Sequence, residues 1–259
     1  MNELLDHIMV CEEAYIRCFC EVKDEGQFIR YEDPQILDMY DHQFIKLKEM
    51  VSDEALQEIV NKETKMRIEQ HQPACEIKLV DAPQVIPVSY SQVAAEVEHL
   101  GIYVCNLEKV ESWSVLSGCE LKQIKTNEDI EDLAKLDIIS DGESCGEDFC
   151  KRRASRRGKV YTADEGCDSH LLYYKEEIVA RCDLFVEGET AKIEDFVVRP
   201  DAQRKGIGTT FLKVLVQKAI GRGAKIVYLV ADEDDTPKEM YLKLGFNKVK
   251  DLYTLFWKL

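Results

Sequence analysis

IEDFVVRPDAQRKGIG, residues 193–208, is the stretch whose reading decides the fold. Ile193, Phe196, Val197 and Val198 form an apolar run broken only by Glu194 and Asp195, which predicts a largely buried strand. Arg199-Pro200-Asp201 ends it, because proline removes a ladder donor and biases the residue before it away from helix. After Gly208 the chain reads TTFLKVLVQKAIGRG, with Phe211, Leu212, Leu215, Val216 and Ala219 at helical spacing. A strand, a glycine-containing loop and a helix start therefore follow one another. That order converges unpaired N–H groups and the positive end of a helix dipole on one point, where two glycines let a phosphate approach closely. A Walker loop is excluded, since Gly208 is followed by Thr209-Thr210 without a lysine. A dinucleotide fingerprint would need a third glycine where Phe211 stands, although Asp232 lies near the position of a ribose-binding acid. The intervening proline segment and a hairpin reading of Glu187-Gly188-Glu189 argue against it.

Gln203-Arg204-Lys205-Gly206-Ile207-Gly208 resembles the Gln/Arg-x-x-Gly-x-Gly/Ala loop of the GCN5-related N-acetyltransferase (GNAT) superfamily. Two flanking features match in order: a strand ending Val-Val-Arg-Pro, and Glu239-Met240-Tyr241-Leu242-Lys243-Leu244-Gly245-Phe246 one strand later, which is similar to the family's (Leu/Met)-Tyr-x-Lys-x-Gly-Phe segment. The resemblance covers about residues 120–259, the size of one domain. It implies an α+β fold, the GNAT acyl-CoA N-acyltransferase architecture: a mixed, mostly antiparallel sheet with helices on both faces. A smaller N-terminal α/β domain precedes it, with residues 1–117 and 118–259 as the two parts and the boundary near Ser114–Gly118.

The resemblance also implies roles. The backbone of Phe196, Val197 and Val198 would hold the pantetheine arm of acetyl-CoA, the co-substrate. The amides from Gln203, Arg204, Lys205, Gly206, Ile207, Gly208 and Thr209 would take the pyrophosphate. Only Gly206 and Gly208 are restricted by side chain; Gln203, Arg204 and Lys205 are either further contacts or a solvated loop. Tyr241 matches the family's general acid near the thioester sulfur, against a core tyrosine beside Leu244 and Phe246. Asp234 stands where many members carry an asparagine. Glu194 is the candidate base, with Asp195 expected on the opposite face by strand alternation. Some members place the base two residues earlier, where this chain has Lys192; water or Asp183 are the other candidates. The basic run 151–159, KRRASRRGK, is either a solvated helix face or a contact for an anionic acceptor or the 3′-phosphate of CoA.

Composition bounds the rest. A net charge of −16 over 259 residues steers cationic partners and argues against nucleic acid. The N-terminal stretch has acids among its apolar residues and no basic region or cleavage site, and no apolar run is long enough to span a bilayer, so a cytoplasmic protein is expected. The 10 cysteines lack structural-zinc spacing, which predicts reduced, mostly buried thiols and no metal.

In the first half, residues 3–22 read as an amphipathic helix and 26–31 as a strand. Helices follow over 36–50 and 55–68, with Ser52 or Asp53 as a cap, then strands near 76–80 and 100–107. This order is either a degenerate first copy of the same fold, without a Gly-x-Gly loop, or an unrelated α+β domain. In the second half, strands are expected at 121–125, 170–174, 178–186 and 225–231, with a final pair of short strands through Trp257. Helices are expected from Asn127 to a break at Asp141-Gly142, from Cys145 to Arg157 with Gly158 ending it, and over 236–244. The leading function is an acetyl-CoA-dependent N-acetyltransferase acting on a primary amine, in a small molecule or a peptide. The rival is a non-catalytic acyl-CoA-binding regulatory or interaction module.

Overall fold

A computed structural model describes residues 3–163 and 166–259. In chain order the elements are α1 (Glu3–Arg17), β1 (Glu21–Asp24), β2 (Phe28–Glu32), β3 (Gln43–Leu47), α2 (Asp53–Glu69), β4 (Ala74–Leu79) and β5 (Glu96–Cys105). Then come β6 (Cys119–Gln123), α3 (Asn127–Cys145), α4 (Glu147–Tyr161), β7 (Asp168–Tyr174), β8 (Glu177–Glu187) and β9 (Thr190–Val198). The chain closes with α5 (Ile207–Gly221), β10 (Ile226–Asp232), α6 (Pro237–Leu244) and β11 (Phe246–Lys258). No helix among the described residues is long and apolar enough to cross a membrane.

Two compact units form, and they do not follow the cut between 117 and 118. The first comprises Met1–Cys18, Tyr103–Val230 and Glu239–Lys248; the second comprises Phe19–Ile102, Ala231–Lys238 and Val249–Leu259. The reason is packing. Helix α1 buries Ile8, Cys11 and Tyr15 and lies against β8 and β9. The end of β11 pairs with β4, from Tyr253↔Leu79 to Lys258↔Ala74.

In the first unit the strand order is β10-β9-β8-β7-β6, antiparallel except for the parallel β9–β10 pair. Helix α5 contributes Phe211, Leu212, Leu215, Val216 and Ala219 to the core, all fully buried, the apolar face read from the sequence. Phe211 meets Phe196 of β9 at 5.4 Å between ring centroids. The opposite face of β8, carrying Arg181, Asp183 and Phe185, is covered by α1, α3 and α4. The second unit pairs β1-β2-β3-β4-β11, again with one parallel pair, β3–β4, joined through α2. Its core gathers Phe28, Ile45, Leu47, Leu56, Ile59, Val60, Ile77, Leu255 and Trp257.

Several boundaries differ from the sequence expectation. Residues 36–50 are not helical: a 3₁₀ turn at Tyr40–His42 leads into β3, because Phe44, Ile45 and Leu47 bury in register with Tyr31, Arg30 and Phe28. The N-terminal helix ends at Arg17, and β1 begins at Glu21, inside the stretch expected to be helical. Helix α3 runs through Asp141-Gly142 and stops at Gly146, whose φ of 83° only glycine adopts readily. Gly158 lies inside α4 rather than ending it. A Cβ there would stand 2.5 Å from Ile130 Cδ1, so its absence permits close packing of α3 on α4. The last pair of strands is one continuous 13-residue strand, β11.

Candidate active site

The loop between β9 and α5 is held open by its own contacts. Arg199 anchors its start, donating its backbone N–H to Val179 O at 2.8 Å and its guanidinium to Asp201 and Glu177. The Gln203 amide reaches back to Val198 O at 3.1 Å, and Lys205 Nζ donates to Asp201 O at 2.6 Å. Arg204 and Gly206 both take positive φ, 61° and 82°. Gly206 is then the N-cap of α5, with no side-chain cap and no acid in the first turn. Residues 203–206 are exposed, Gly208 and Thr209 half-buried and Ile207 buried. An ideal Cβ on Gly208 would sit 3.3 Å from Met240 Sδ and 3.8 Å from Val198 Cγ2. The structure thus brings Val198, Gly208 and Met240 together, and with Met240 the helix that carries Tyr241.

Strand β9 supplies the second half of the arrangement. Its parallel pairing with β10 runs from Thr190↔Ile226 to Ile193↔Leu229, and β9 continues to Val198. On its other side it stays paired with β8, up to Val198↔Ala180. Residues 194–198 therefore have one backbone edge in the sheet and one turned away from it, all half-buried. Backbone N–H and C=O groups on such an edge are ready to pair with an extended amide-bearing chain.

Where the strands part, β9 bulges. Register slips between Arg181 and Asp183 of β8, and Asp195 takes a φ of 54°. This overturns the expected alternation: Asp195 does not face away from Glu194. Its carboxylate accepts from Arg157 of α4 and Arg181 of β8, on the face covered by α3 and α4. Arg181 also pairs with Asp137 of α3 at 2.7 Å. Asp183 is equally committed. One of its oxygens accepts from Arg157 Nη2 at 2.7 Å, Tyr15 Oη at 2.9 Å and Tyr161 Oη at 3.0 Å, with the residue 1 % exposed. Burial, reinforced by the Asp183 charge, pushes both tyrosine hydroxyls well above their ordinary range, so they remain donors. Asp183 is a buried acceptor committed to these three donors rather than an accessible base. The basic run 151–159 divides accordingly. Lys151 and Arg152 make exposed pairs with Glu147 and Asp148 one turn back, while Arg153 and Arg157 point inward to Asp137, Asp141, Asp183 and Asp195.

Glu194 itself keeps a third of its side chain exposed and pairs with Lys192 Nζ at 2.8 Å. Lys192 is buried and also holds Glu12 of α1 at 2.8 Å. Burial works to lower the Lys192 pKa, yet the two carboxylates hold it above its ordinary value. The Tyr241 ring is buried and packs on Phe246 at 5.7 Å, and Phe246 in turn stacks on Trp113. All ten cysteines are free thiols, most of them buried.

Sequence reasoning missed Glu12, Tyr15, Arg157 and Arg181. Only one local signal pointed to any of them, the inward spacing of Arg153 and Arg157 by one helical turn.

A glycine-capped helix start with no side-chain cap stands beside a strand that outruns its parallel neighbour. The model of the Acetyltransferase (GNAT) family matches residues 131–246. That segment of the chain is similar to a GNAT acetyltransferase domain. The chain is 26 % identical over 261 residues to an uncharacterized N-acetyltransferase, CgeE, of Bacillus subtilis (strain 168), spanning 96 % of this chain and 97 % of that one. In fold it resembles a conserved protein of unknown function from Staphylococcus epidermidis ATCC 12228, with a TM-score of 0.77 at 17 % identity over 95 % of this chain and 96 % of that chain. It also resembles a GCN5-related N-acetyltransferase from Kribbella flavida, with a TM-score of 0.63 at 12 % identity over 96 % and 93 %. The likeness of fold to these two chains therefore extends over almost the whole molecule, well before residue 131 where the family model begins.

Proposed function

We propose that the protein transfers the acetyl group of acetyl-CoA to a primary amine of a cationic small molecule or peptide, in a cytoplasmic setting. The observation that carries this is the adjacency of two open backbone surfaces, the uncapped start of α5 at Gly206 and the unpaired edge of β9 at residues 194–198. The amides of residues 203–209 take the pyrophosphate, with Arg204 and Lys205 beside it, and Phe196, Val197 and Val198 hold the pantetheine arm. The amine nitrogen attacks the thioester carbon. As the N–C bond forms and the C–S bond breaks, Glu194 accepts the amine proton and Tyr241 supplies one to the departing thiolate. The net charge of −16 favours an amine that arrives as a cation and is deprotonated at the site.

We also read the second unit as a degenerate copy of the first. Its β1-β2-β3-α2-β4 repeats the pairing pattern of β7-β8-β9-α5-β10, two antiparallel pairs and then a parallel one across a helix. Thiol release from acetyl-CoA across a panel of mono-, di- and polyamines and lysine peptides tests the activity, with Tyr241→Phe as control. Amine-dependent release that falls in the variant supports the reading; tight acetyl-CoA binding without release on any amine overturns it.

A further inference from the structure

Lys192 is buried between two carboxylates that lie 182 residues apart in sequence, Glu12 and Glu194. Its Nζ stands 2.8 Å and 2.9 Å from the two oxygens of Glu12, 2.8 Å from Glu194 Oε2, and 4.6 Å from the centre of the Tyr15 ring. Glu12 Oε1 also accepts from Tyr228 Oη of β10 at 2.8 Å. The three groups carry one positive and two negative charges. Counting charges, one of the carboxylates can take a proton and the ammonium still has an anionic partner.

We propose that Glu12, on the amino-terminal helix, is a positioning residue for Glu194: by keeping Lys192 paired, it lets Glu194 accept the substrate proton. This rests on the reading of Glu194 as the base. The physical argument is the cost of an unpaired buried charge. If Glu194 were the only partner of Lys192, its protonation would strand an ammonium inside the protein, which is strongly unfavourable. With Glu12 present, protonation leaves a neutral Glu12–Lys192 pair. The carboxylate is supplied by α1, outside the segment that the family model matches, so the helix is a working part of this acetyltransferase unit.

The groups around the triad are committed to other partners or held protonated. From α1, Cys11 is raised to about 11 by burial, and Tyr15 is held protonated. From β8, Asp183 is fixed by Arg157, Tyr15 and Tyr161, and burial raises the Cys182 thiol well above its ordinary value. From β10, burial and then Glu12 raise Tyr228, which remains a donor. From α4, Arg157 and Tyr161 stay protonated. Glu187 at the end of β8 also acts electrostatically on Cys11.

The experiment is the pH profile of kcat/KM at saturating acetyl-CoA in the full chain, for wild type, Glu12→Gln, Glu12→Asp and Glu194→Gln. Acetyl-CoA affinity and thermal midpoint are measured alongside. Glu12→Gln preserves shape and the bond from Tyr228 but removes the charge, so the acid limb should move to lower pH by about one unit and the plateau should fall. Glu12→Asp keeps the charge and changes the shape, so its limb should stay near wild type. A merely structural Glu12 gives the reverse order, with Gln innocuous and Asp harmful, and would overturn the proposal. An unmoved limb in Glu12→Gln, while Glu194→Gln loses activity, overturns it and leaves the base assignment standing. If Glu194→Gln retains both rate and limb, the base assignment falls and this inference with it.

Discussion

The described residues contain two β–α–β crossovers of the same plan, and they start their helices in opposite ways. In the second unit, β3 leads through Lys48-Glu49-Met50-Val51 to α2. Ser52 caps that helix by accepting from Ala55 N at 3.3 Å, and Asp53 and Glu54 fill the first turn with negative charge. In the first unit, β9 leads to α5, where Gly206 offers no side chain, the first turn has no acid, and Arg204 and Lys205 stand just before it. One helix start is satisfied by its own chain; the other has no side-chain cap, as the proposed pyrophosphate site requires. The strands differ in the same sense. β4 is paired on both sides, by β3 and β11, whereas β9 outruns β10 after Ile193. Helix α6 with Tyr241 follows β10 directly, whereas among the described residues β4 leads to β5 with no helix between them. On the proposed reading of the second unit as a degenerate copy, only the crossover with the uncapped helix start is expected to bind cofactor.

The largest effect expected from this contrast is at Tyr241. Phenylalanine keeps the packing on Phe246 and removes only the proton, so turnover at saturating acetyl-CoA should fall by about 10²–10⁴-fold while acetyl-CoA affinity holds. A tyrosine serving only the core would show a slightly lower melting temperature and undiminished steady-state turnover, and the contrast between the two crossovers would then rest on binding alone.

The second concerns the closed crossover and depends on pH. Burial on β4 raises Glu76 to about 7, with Asp41 and Glu98 adding to the shift and Lys78 opposing it. Because the folded-state pKa lies above the unfolded one, the contribution of Glu76 is fully present near pH 4 and is lost as pH rises through 7. Glu76→Gln does not titrate. Between pH 4 and pH 8 the stability of wild type relative to this variant should fall by about 3 kcal/mol, measured by denaturant unfolding of the full chain. A pH-independent difference would mean that Glu76 is solvated in the native state.

The third is at the open helix start. A Cβ on Gly206 meets nothing within 4 Å, but its φ of 82° disfavours any β-branched residue. Gly206→Val should therefore disturb the loop rather than the core, weakening acetyl-CoA binding on the order of tenfold or more by calorimetry. Wild-type affinity in that variant would remove the pyrophosphate assignment.

How much of this was legible in the sequence follows from which signals are local. The helix start after Gly206, the α5 core face and a cap at Ser52 depend on neighbouring residues, and as secondary structure they were legible. Residues 36–50 did not, because an apolar run of mixed spacing becomes a strand only when β2 is there to pair with it. Asp195 was assigned to the wrong face because alternation assumes an unbroken strand, and the bulge depends on Arg157 and Arg181 reaching it from other elements. Glu12 and Tyr15 left no trace, since their partners Lys192 and Asp183 lie 180 and 168 residues away.

The smallest expected effect is the mirror image of the Gly206 test. Ser52→Ala removes the acceptor for Ala55 N and leaves one more orphan donor at the start of α2. The cost should be about 1 kcal/mol of stability, the usual contribution of such a cap. Asp53 and Glu54 remain, and they continue to oppose the helix dipole, which keeps the loss small. The informative part is the sign of the pair. The satisfied helix start should lose stability without losing acetyl-CoA affinity, while the vacant one at Gly206 loses affinity. Chemical denaturation and calorimetry on the same two variants measure both quantities. If Ser52→Ala weakened acetyl-CoA binding as strongly as Gly206→Val, the division of labour between the two crossovers would be wrong, and the second unit would have to be counted as part of the binding machinery.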